Sequence, residues 1–199
     1  REVVTFGSCS YLGLEFHPAL AEGVTDAVRC YGTQFSQSRG YASAPAYAQL
    51  EEMLSTVFGG YALVTPSTTL GHQMVLPTLA TEKDAILVDN QAHRSIQVAA
   101  TLAQANGTRV ETIRHRELDA RLPEAVERLA RTHRTVWLAI DGIFSMYGDF
   151  APLGLLRRAL DAAPNLRLYV DDAHGMSWAG EHGRGWFLSR FPVSERVIV

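Results

Sequence analysis

Short segments that are almost entirely apolar recur along the chain and alternate with longer amphipathic ones. Three of them read AILVD, VWLAI and LRLYV, at residues 85–89, 136–140 and 166–170. A strand that does not alternate apolar and polar residues is buried on both faces, as in a parallel sheet covered by helices. Alternation of such strands with helices gives an α/β architecture. We therefore predict one α/β domain whose mostly parallel sheet is sandwiched by helices.

The predicted elements follow one another along the whole chain. The helix at 117–132 is typical, because Leu118, Leu122 and Val126 recur on one face. The predicted helices are Pro18–Cys30, Pro45–Phe58, Thr69–Ala80, Arg94–Ala105, Glu117–Thr132 and Pro152–Ala162. The predicted strands are Glu2–Phe6, Tyr61–Thr65, Ala85–Asp89, Arg109–Ile113, Thr135–Ile140, Leu166–Val170 and a last one that starts at Arg196.

Charge and hydropathy exclude two classes of partner. The net charge is −3 over 199 residues, whereas nucleic-acid binding needs a clustered cationic field. Apolar runs stay far below the ~20 residues of a membrane span, and the first residues have no signal-peptide pattern. We expect a cytoplasmic protein without nucleic-acid or membrane partners. Because residues 197–199 are apolar and stop within a predicted strand, we also expect the chain to be a piece of a longer polypeptide.

Polar residues gather directly after the predicted strands. In an open parallel sheet, ligands bind at the carboxyl ends of the strands. The segments that reach this edge are Pro66–Thr69, Asn90–His93, Asp141–Ser145 and Asp171–Gly175. Their convergence predicts the functional site.

Each polar residue at this edge has a functional and an ordinary interpretation. Thr68 and Thr69 open a helix, where free amides favour a phosphate, but Ser and Thr are also common helix caps. Asp171 is placed to pair with a protonated heterocyclic nitrogen, or simply to cap a turn. His174 is placed to hydrogen-bond a phenolate-like oxygen, or lies on the surface. His93 stacks on a flat ring, or caps the following helix.

A metal site is the competing interpretation of the same edge. Asp171, Asp172, His174 and His182 carry ligand atoms, but no further residue has convincing ligand spacing, so we predict no metal. His72, His115 and His133 look ordinary, and we assign His115 and His133 to solvated surfaces.

Several segments in order resemble one enzyme family, the α-oxoamine synthases. The segment VDDAHG at 170–175, followed by GEHGRG at 180–185, resembles the family's VDDAHG…GxxGRG signature. The segment at 144–153, which contains FSM, GD and APL, is similar to its FSMDGDxAPL. SYLGL at 10–14 with His17 and Pro18 resembles its opening motif, and LEE at 50–52 matches a helix. The resemblance covers essentially the whole chain.

The resemblance implies the large domain of a fold type I pyridoxal-5'-phosphate (PLP) enzyme. By matched position, Asp171 would bind the ring nitrogen, and His174 and Ser145 would lie near the phenolic oxygen. Thr68 and Thr69 would sit at the phosphate, and His93, the one catalytic residue implied within this chain, would stack on the ring. Residues 1–40 would form an N-terminal segment with an active-site loop, and residues 41–199 the PLP-binding large domain.

The family also implies a reaction and an assembly. Its members are acyltransferases that condense an amino acid with an acyl thioester and release carbon dioxide, and the thioester is carried on coenzyme A or on an acyl carrier protein. A homodimer is implied, because the active site of this fold is completed across a subunit interface. An aminotransferase or an aldolase of the same fold is the alternative.

The chain departs from the family where substrate is expected. Residues 33–39 read TQFSQSR in place of a glycine-rich GSGGSR, and Asp141 stands for a glutamate. Thr68, Thr69 and His72 replace residues of an SGFxAN motif. PLP binding is therefore better supported than condensation with an acyl thioester.

The lysine that holds PLP in this family has no counterpart in these residues. Lys83, the only lysine, precedes a strand and so belongs to the opposite edge of the sheet. We expect the lysine within roughly ten residues beyond Val199. The alternative is a non-catalytic subunit that forms a heterodimer with a catalytic subunit.

Overall fold

The computed structural model describes residues 3–4, 7–191 and 194–199. The chain divides into two compact units, Arg1–Val64 and Thr65–Val199, and the predicted sheet lies in the second. None of the helices among the described residues is long and apolar enough to cross a membrane.

A parallel sheet forms the centre of the second unit. Its strands are β1 (Ala85–Asp89), β2 (Arg109–Ile113), β3 (Val136–Asp141), β6 (Leu166–Asp171) and β7 (Val197–Ile198). Within the described residues the order of this sheet is β2-β1-β3-β6-β7, and every pairing is parallel. A separate antiparallel hairpin consists of β4 (Ile143–Phe144) and β5 (Asp149–Phe150). The mostly parallel α/β fold is therefore confirmed.

Helices cover both faces of this sheet. They are α3 (Thr68–Leu79), α4 (Arg94–Ala105), α5 (Leu118–Ala130) and α6 (Leu153–Ala162). Leu138 and Ile140 of β3 pack into one hydrophobic core with residues of α5 and α6, whereas Trp137 and Ala139 pack into a second core with residues of α3 and α4. Burial of a Leu or Ile side chain stabilises a protein by roughly 1.5–3 kcal/mol. The unbroken apolar strands are thus explained by a core on each side.

The first unit contains α1 (Pro18–Tyr31) and α2 (Pro45–Phe58), both within one residue of their predicted bounds. Both begin with proline, which is tolerated where a helix starts because its missing N–H would have no intrahelical partner. Leu20, Val24 and Val28 line one face of α1 and are 52%, 65% and 43% exposed. Within the first unit this apolar face is therefore uncovered.

The predicted strand at Tyr61–Thr65 is wrong, because the segment is an extended loop. Its backbone groups are satisfied by side chains instead of a neighbouring strand. The Val64 amide donates to Glu51 Oε1 at 2.8 Å, and the Val64 carbonyl accepts from Arg39 Nη1 at 2.8 Å. The apolar pattern that indicated a strand does not reflect burial either, since Tyr61 is fully exposed.

The predicted strand at Glu2–Phe6 falls largely outside the described residues. Only Val3 and Val4 of this segment are described, and they belong to no strand.

Candidate active site at the carboxyl edge of the sheet

Three neighbouring strands of the sheet end in a buried aspartate. Asp89 ends β1, Asp141 ends β3 and Asp171 ends β6, with 0%, 2% and 8% of their surface exposed. Asp141 and Asp171 are register partners, so their backbones are adjacent. Because the strands are parallel, the three carboxylates share one edge, and burial would disfavour their charges without dedicated partners. Each of the three carboxylates has its own hydrogen-bond partner.

The Asp171 carboxylate is held from two sides. Its Oδ2 lies 3.0 Å from His72 Nε2, and its Oδ1 accepts the Ala173 amide at 3.0 Å. Burial raises the pKa of Asp171, but the hydrogen bonds from His72 and Ala173 and the charges of His72 and His93 outweigh it, so the pKa lies below its usual range. Asp171 is therefore a buried carboxylate that stays ionised, and each oxygen keeps a lone pair for a further donor.

The neighbouring Asp141 behaves in the opposite way. Both of its oxygens accept the His93 amide, at 3.0 and 3.1 Å. Burial, opposed by that hydrogen bond and reinforced by the charges of Asp171 and Asp89, raises the pKa of Asp141 to about 7. Two adjacent strand ends thus carry one acid that is ionised and one that takes up a proton near neutrality.

His93 caps a helix, as its ordinary interpretation predicts, and its ring is still free to stack on a flat ligand. Its Nδ1 accepts the Ser95 amide at 3.3 Å and lies 2.6 Å from Ser95 Oγ, so His93 caps α4. The side chain is nevertheless exposed, and its charge lowers the pKa of Asp171. The imidazole is therefore near the carboxylate while its surface remains accessible.

Thr68 and Thr69 are the first two residues of α3 and are exposed. The helix is capped by Ser67, whose Oγ accepts the Leu70 amide at 3.2 Å. The amides of the first residues of a helix have no intrahelical acceptor, and they make its N-terminus a favourable place for a phosphate. His72 follows one turn later, about 6 Å along the helix axis. This helix start therefore belongs to the same edge as Asp171.

Ser145 and His174 lie on two loops that follow β3 and β6. Ser145 is exposed in the turn of the β4–β5 hairpin. His174 is half-buried, and its loop is shaped by Asp172, which is 3% exposed and accepts the Phe187 amide at 2.7 Å. A side chain at Gly175 would overlap the Asp172 carboxylate. The structure links His93 to Asp171, and it places Ser145 and His174 on adjoining loops.

Sequence reasoning missed two histidines. His72 was regarded as ordinary, but it contacts Asp171 directly. The assignment of His115 to a solvated surface is wrong, because its Nδ1 lies 2.7 Å from the fully buried Asp89 Oδ2 and its ring packs against Phe144. The replacement of an SGFxAN residue by His72 was a usable signal, whereas the partner of His115 depends on tertiary structure alone.

Two further observations limit the chemistry of this edge. Among the described residues, no group of three or more His, Cys, Asp or Glu side chains is arranged to hold a metal ion. Lys83 lies just before the start of β1, at the opposite edge of the sheet from Asp171.

The arrangement suits a flat, anionic heterocycle with a protonated ring nitrogen. Asp171 offers an ionised acceptor for the N–H, and the start of α3 offers amides for an anionic group. About one helical turn separates Thr68 from His72, whose side chain contacts Asp171. The exposed His93 lies close to the carboxylate end.

Comparisons with known proteins agree with this chemistry. The sequence model of the family described as aminotransferase class I and II matches residues 1–197. An 8-amino-7-oxononanoate synthase from Geobacter sulfurreducens is 37% identical over 190 residues, which cover 93% of this chain and 46% of that protein. The chain therefore spans about half the length of the curated relatives it matches.

Solved structures have the same fold. The structure of a serine palmitoyltransferase from Sphingomonas wittichii is 26% identical, with a TM-score of 0.85 over 95% of this chain and 46% of that one. A serine palmitoyltransferase from S. paucimobilis, solved with a bound PLP–myriocin aldimine, is 23% identical, with a TM-score of 0.83 over 93% of this chain and 46% of that one. At this lower identity the likeness is one of fold.

Proposed function

Because the chain belongs to the aminotransferase class I and II family, we propose that it is the cofactor-binding part of a PLP enzyme of the α-oxoamine synthase group. The resemblance to that group is confirmed by the names of the similar proteins, 8-amino-7-oxononanoate synthase and serine palmitoyltransferase. In this proposal residues 41–199 form the large domain, and residues 1–40 form an N-terminal segment with an active-site loop.

The observation that carries the proposal is the buried carboxylate of Asp171. Few cofactors need an ionised acid in a water-poor site. A cofactor with a pyridinium ring is one of them, because the acid keeps the ring nitrogen protonated. Hydrogen bonds from His72 and the Ala173 amide hold the pKa of Asp171 below its usual range despite burial. The residues present therefore fit PLP.

When bound, PLP supplies an electron sink for the electron pair released at the substrate's α-carbon. The chain's own residues would hold and orient it. Asp171 would keep the proton at the ring nitrogen, the amides and hydroxyls of Thr68 and Thr69 would bind the phosphate, and His93 would lie against the ring face. Because His93 is fixed by capping α4, its ring would be pre-organised for this contact.

The remaining assignments concern the phenolic oxygen and the lysine. Ser145 and His174 carry groups that can hydrogen-bond the oxygen, and their loops follow the ends of the two strands that bear Asp141 and Asp171. Lys83 lies at the wrong edge to bind the aldehyde of PLP. In this proposal the required lysine belongs to a part of the protein outside these residues.

We assign to the protein a decarboxylative condensation of an amino acid with an acyl thioester, carried on coenzyme A or on an acyl carrier protein. Support comes from the 37% identity with an 8-amino-7-oxononanoate synthase and the TM-score of 0.85 with a serine palmitoyltransferase. Transamination or aldol cleavage on the same cofactor is the alternative, because residues 33–39 depart from the family pattern.

Product analysis on the full-length protein with PLP separates these reactions. Incubation with amino acids and acyl thioesters is expected to release carbon dioxide and free thiol in equal amounts. Transfer of the amino group to a keto acid without thiol release would contradict condensation and favour an aminotransferase. Failure to develop a visible PLP absorption band would contradict the cofactor assignment itself.

The role of Asp171 has its own test. Asp171→Ala in the full-length protein is expected to weaken PLP binding about ten-fold or more, because a charge-assisted hydrogen bond to the ring nitrogen is lost. Asp161→Ala, which removes an exposed carboxylate from α6, is the matched control and should bind PLP like the wild type. Equal affinity of both variants would refute the assignment of Asp171.

The proposed partners are a second copy of the chain and the two substrates, in the cytoplasm. The exposed face of α1 formed by Leu20, Val24 and Val28 supports a covering surface, because the apolar face of an amphipathic helix is normally packed against another element. Light scattering of the full-length protein is expected to give the mass of a dimer. A monomer that binds PLP and turns over would refute the homodimer.

A further inference from the structure

His72 joins two buried side chains of β6 that sequence reasoning did not connect. Its Nδ1 lies 2.8 Å from the Tyr169 hydroxyl, and its Nε2 lies 3.0 Å from Asp171 Oδ2. All three residues are buried, and the rings of His72 and Tyr169 pack edge to face with centroids 5.5 Å apart. A buried hydrogen-bonded chain therefore runs from a phenol, through an imidazole, to the carboxylate of the candidate site.

The direction of the hydrogen bonds follows from chemistry. An ionised Asp171 only accepts, so His72 Nε2 carries the hydrogen and donates. Burial and the charge of Asp171 raise the pKa of Tyr169, so its hydroxyl keeps its proton and remains a neutral hydrogen-bond partner of His72 Nδ1. An imidazole that carries a hydrogen on Nε2 therefore joins the phenol to the carboxylate.

The position of His72 in α3 connects this hydrogen-bonded chain with the proposed phosphate site. It lies in α3, one turn after Thr68 and Thr69, whose amides are the proposed phosphate donors. One rigid helix thus carries both the proposed phosphate site and the side chain that contacts Asp171. The distance between the two ends of the site is then set by α3 and not by a loop.

The neighbouring charges show why Asp171 needs the hydrogen bond from His72 to stay ionised. Asp141 ends the adjacent strand in register with Asp171, and their charges oppose one another. His93 also acts on Asp171 by its charge, but its Nδ1 is engaged by Ser95. Among the hydrogen bonds of the described residues, His72 is the side chain that donates to the Asp171 carboxylate.

We propose that His72, oriented by Tyr169, is a positioning residue that keeps Asp171 as an ionised, correctly aimed carboxylate for the ring nitrogen of the cofactor. This inference rests on the proposed PLP function and deepens it. It assigns a role to His72, one of the residues that replace the family's SGFxAN motif.

The test compares PLP with a carbocyclic analogue that has C–H in place of the ring nitrogen. Affinities of the full-length apoprotein for both are measured by absorbance titration. His72→Phe keeps the size and ring packing but removes the donor, and it is expected to bind PLP about ten-fold more weakly. Its affinity for the analogue should stay within about two-fold of the wild type, because the analogue has no nitrogen for Asp171 to hold.

Two further variants separate positioning from packing. His72→Asn restores an N–H donor and is expected to recover most of the affinity for PLP. Tyr169→Phe keeps the His72 donor but removes the hydroxyl that orients its ring, so a loss of a few-fold is expected. Nitrogen NMR of the apoprotein should show a hydrogen on His72 Nε2 both in the wild type and in Tyr169→Phe, because Asp171 accepts it in both proteins.

The outcomes distinguish this inference from the proposed function. If His72→Phe binds PLP as tightly as the wild type, or binds PLP and the analogue equally weakly, the positioning role is wrong while the PLP function stands. A wild-type imidazole without a hydrogen on Nε2 in the NMR measurement would overturn the hydrogen-bond direction. A wild-type protein that binds PLP no better than the analogue would overturn the assigned role of Asp171, and the inference with it.

Discussion

Replacing Asp141 with asparagine is expected to change how stability depends on pH. Asp141 is almost fully buried, and both carboxylate oxygens accept the His93 amide. Burial, partly offset by that hydrogen bond and increased by the charges of Asp171 and Asp89, raises its pKa to about 7. Asparagine keeps one acceptor for His93 and cannot titrate.

The magnitude and the sign follow from proton linkage. Between the unfolded pKa of about 3.9 and the folded pKa of about 7, the folded protein binds more protons at Asp141 than the unfolded chain does. The stability that the protonated acid contributes is therefore complete below about pH 4 and is lost as pH rises to about 7. This loss amounts to about 4 kcal/mol as an upper bound.

Urea unfolding of the full-length protein between pH 4 and pH 8 measures this effect. The stability of Asp141→Asn relative to the wild type is expected to rise with pH by up to about 4 kcal/mol. Asp161→Asn, in an exposed position of α6, should follow the wild type at each pH. A constant difference between Asp141→Asn and the wild type across this range would refute the reasoning.

Two further variants test the loops that carry the site. Gly175→Ala is expected to lower the free energy of unfolding by about 1–3 kcal/mol, because its Cβ would overlap the Asp172 carboxylate. Gly154→Ala, in the open first turn of α6, is the control and should be neutral or slightly stabilising in thermal unfolding. Equal losses of stability in the two variants would contradict the steric argument. Ser67→Ala is expected to cost about 1 kcal/mol, because the Leu70 amide loses its capping acceptor. Ser67→Thr should restore that stability, and a wild-type unfolding midpoint for Ser67→Ala would show that the cap contributes nothing.

The sheet and its covering helices were predictable because their signals are local. Ala85–Asp89 and Arg109–Ile113 have the predicted bounds, and so does α4. In each case the burial pattern follows the residues of the segment itself. The segment at 61–65 shows the limit, because its apolar residues indicate a strand while Glu51 and Arg39 satisfy its backbone. Nothing within the segment reports those partners.

The site was predictable only in part for a related reason. Asp171 and His93 follow apolar strands, and their positions are therefore fixed by the sheet. The contact between His72 and Asp171 joins residues 99 positions apart and depends on how α3 packs over β6. The contact between His115 and Asp89 likewise needs the loop after β2 to lie against the end of β1. Such contacts exist only once the tertiary structure is formed.

The row of strand-ending aspartates has a consequence for protein engineering. Each acid is matched to a group that arrives on a different segment: His115 for Asp89, the amide of His93 for Asp141, and His72 for Asp171. A chimera that exchanged one strand between two relatives would separate an acid from its counterpart. Crossover points should therefore keep each strand together with the segment that hydrogen-bonds its last residue, so that three matched pairs, rather than single strands, are the transferable parts.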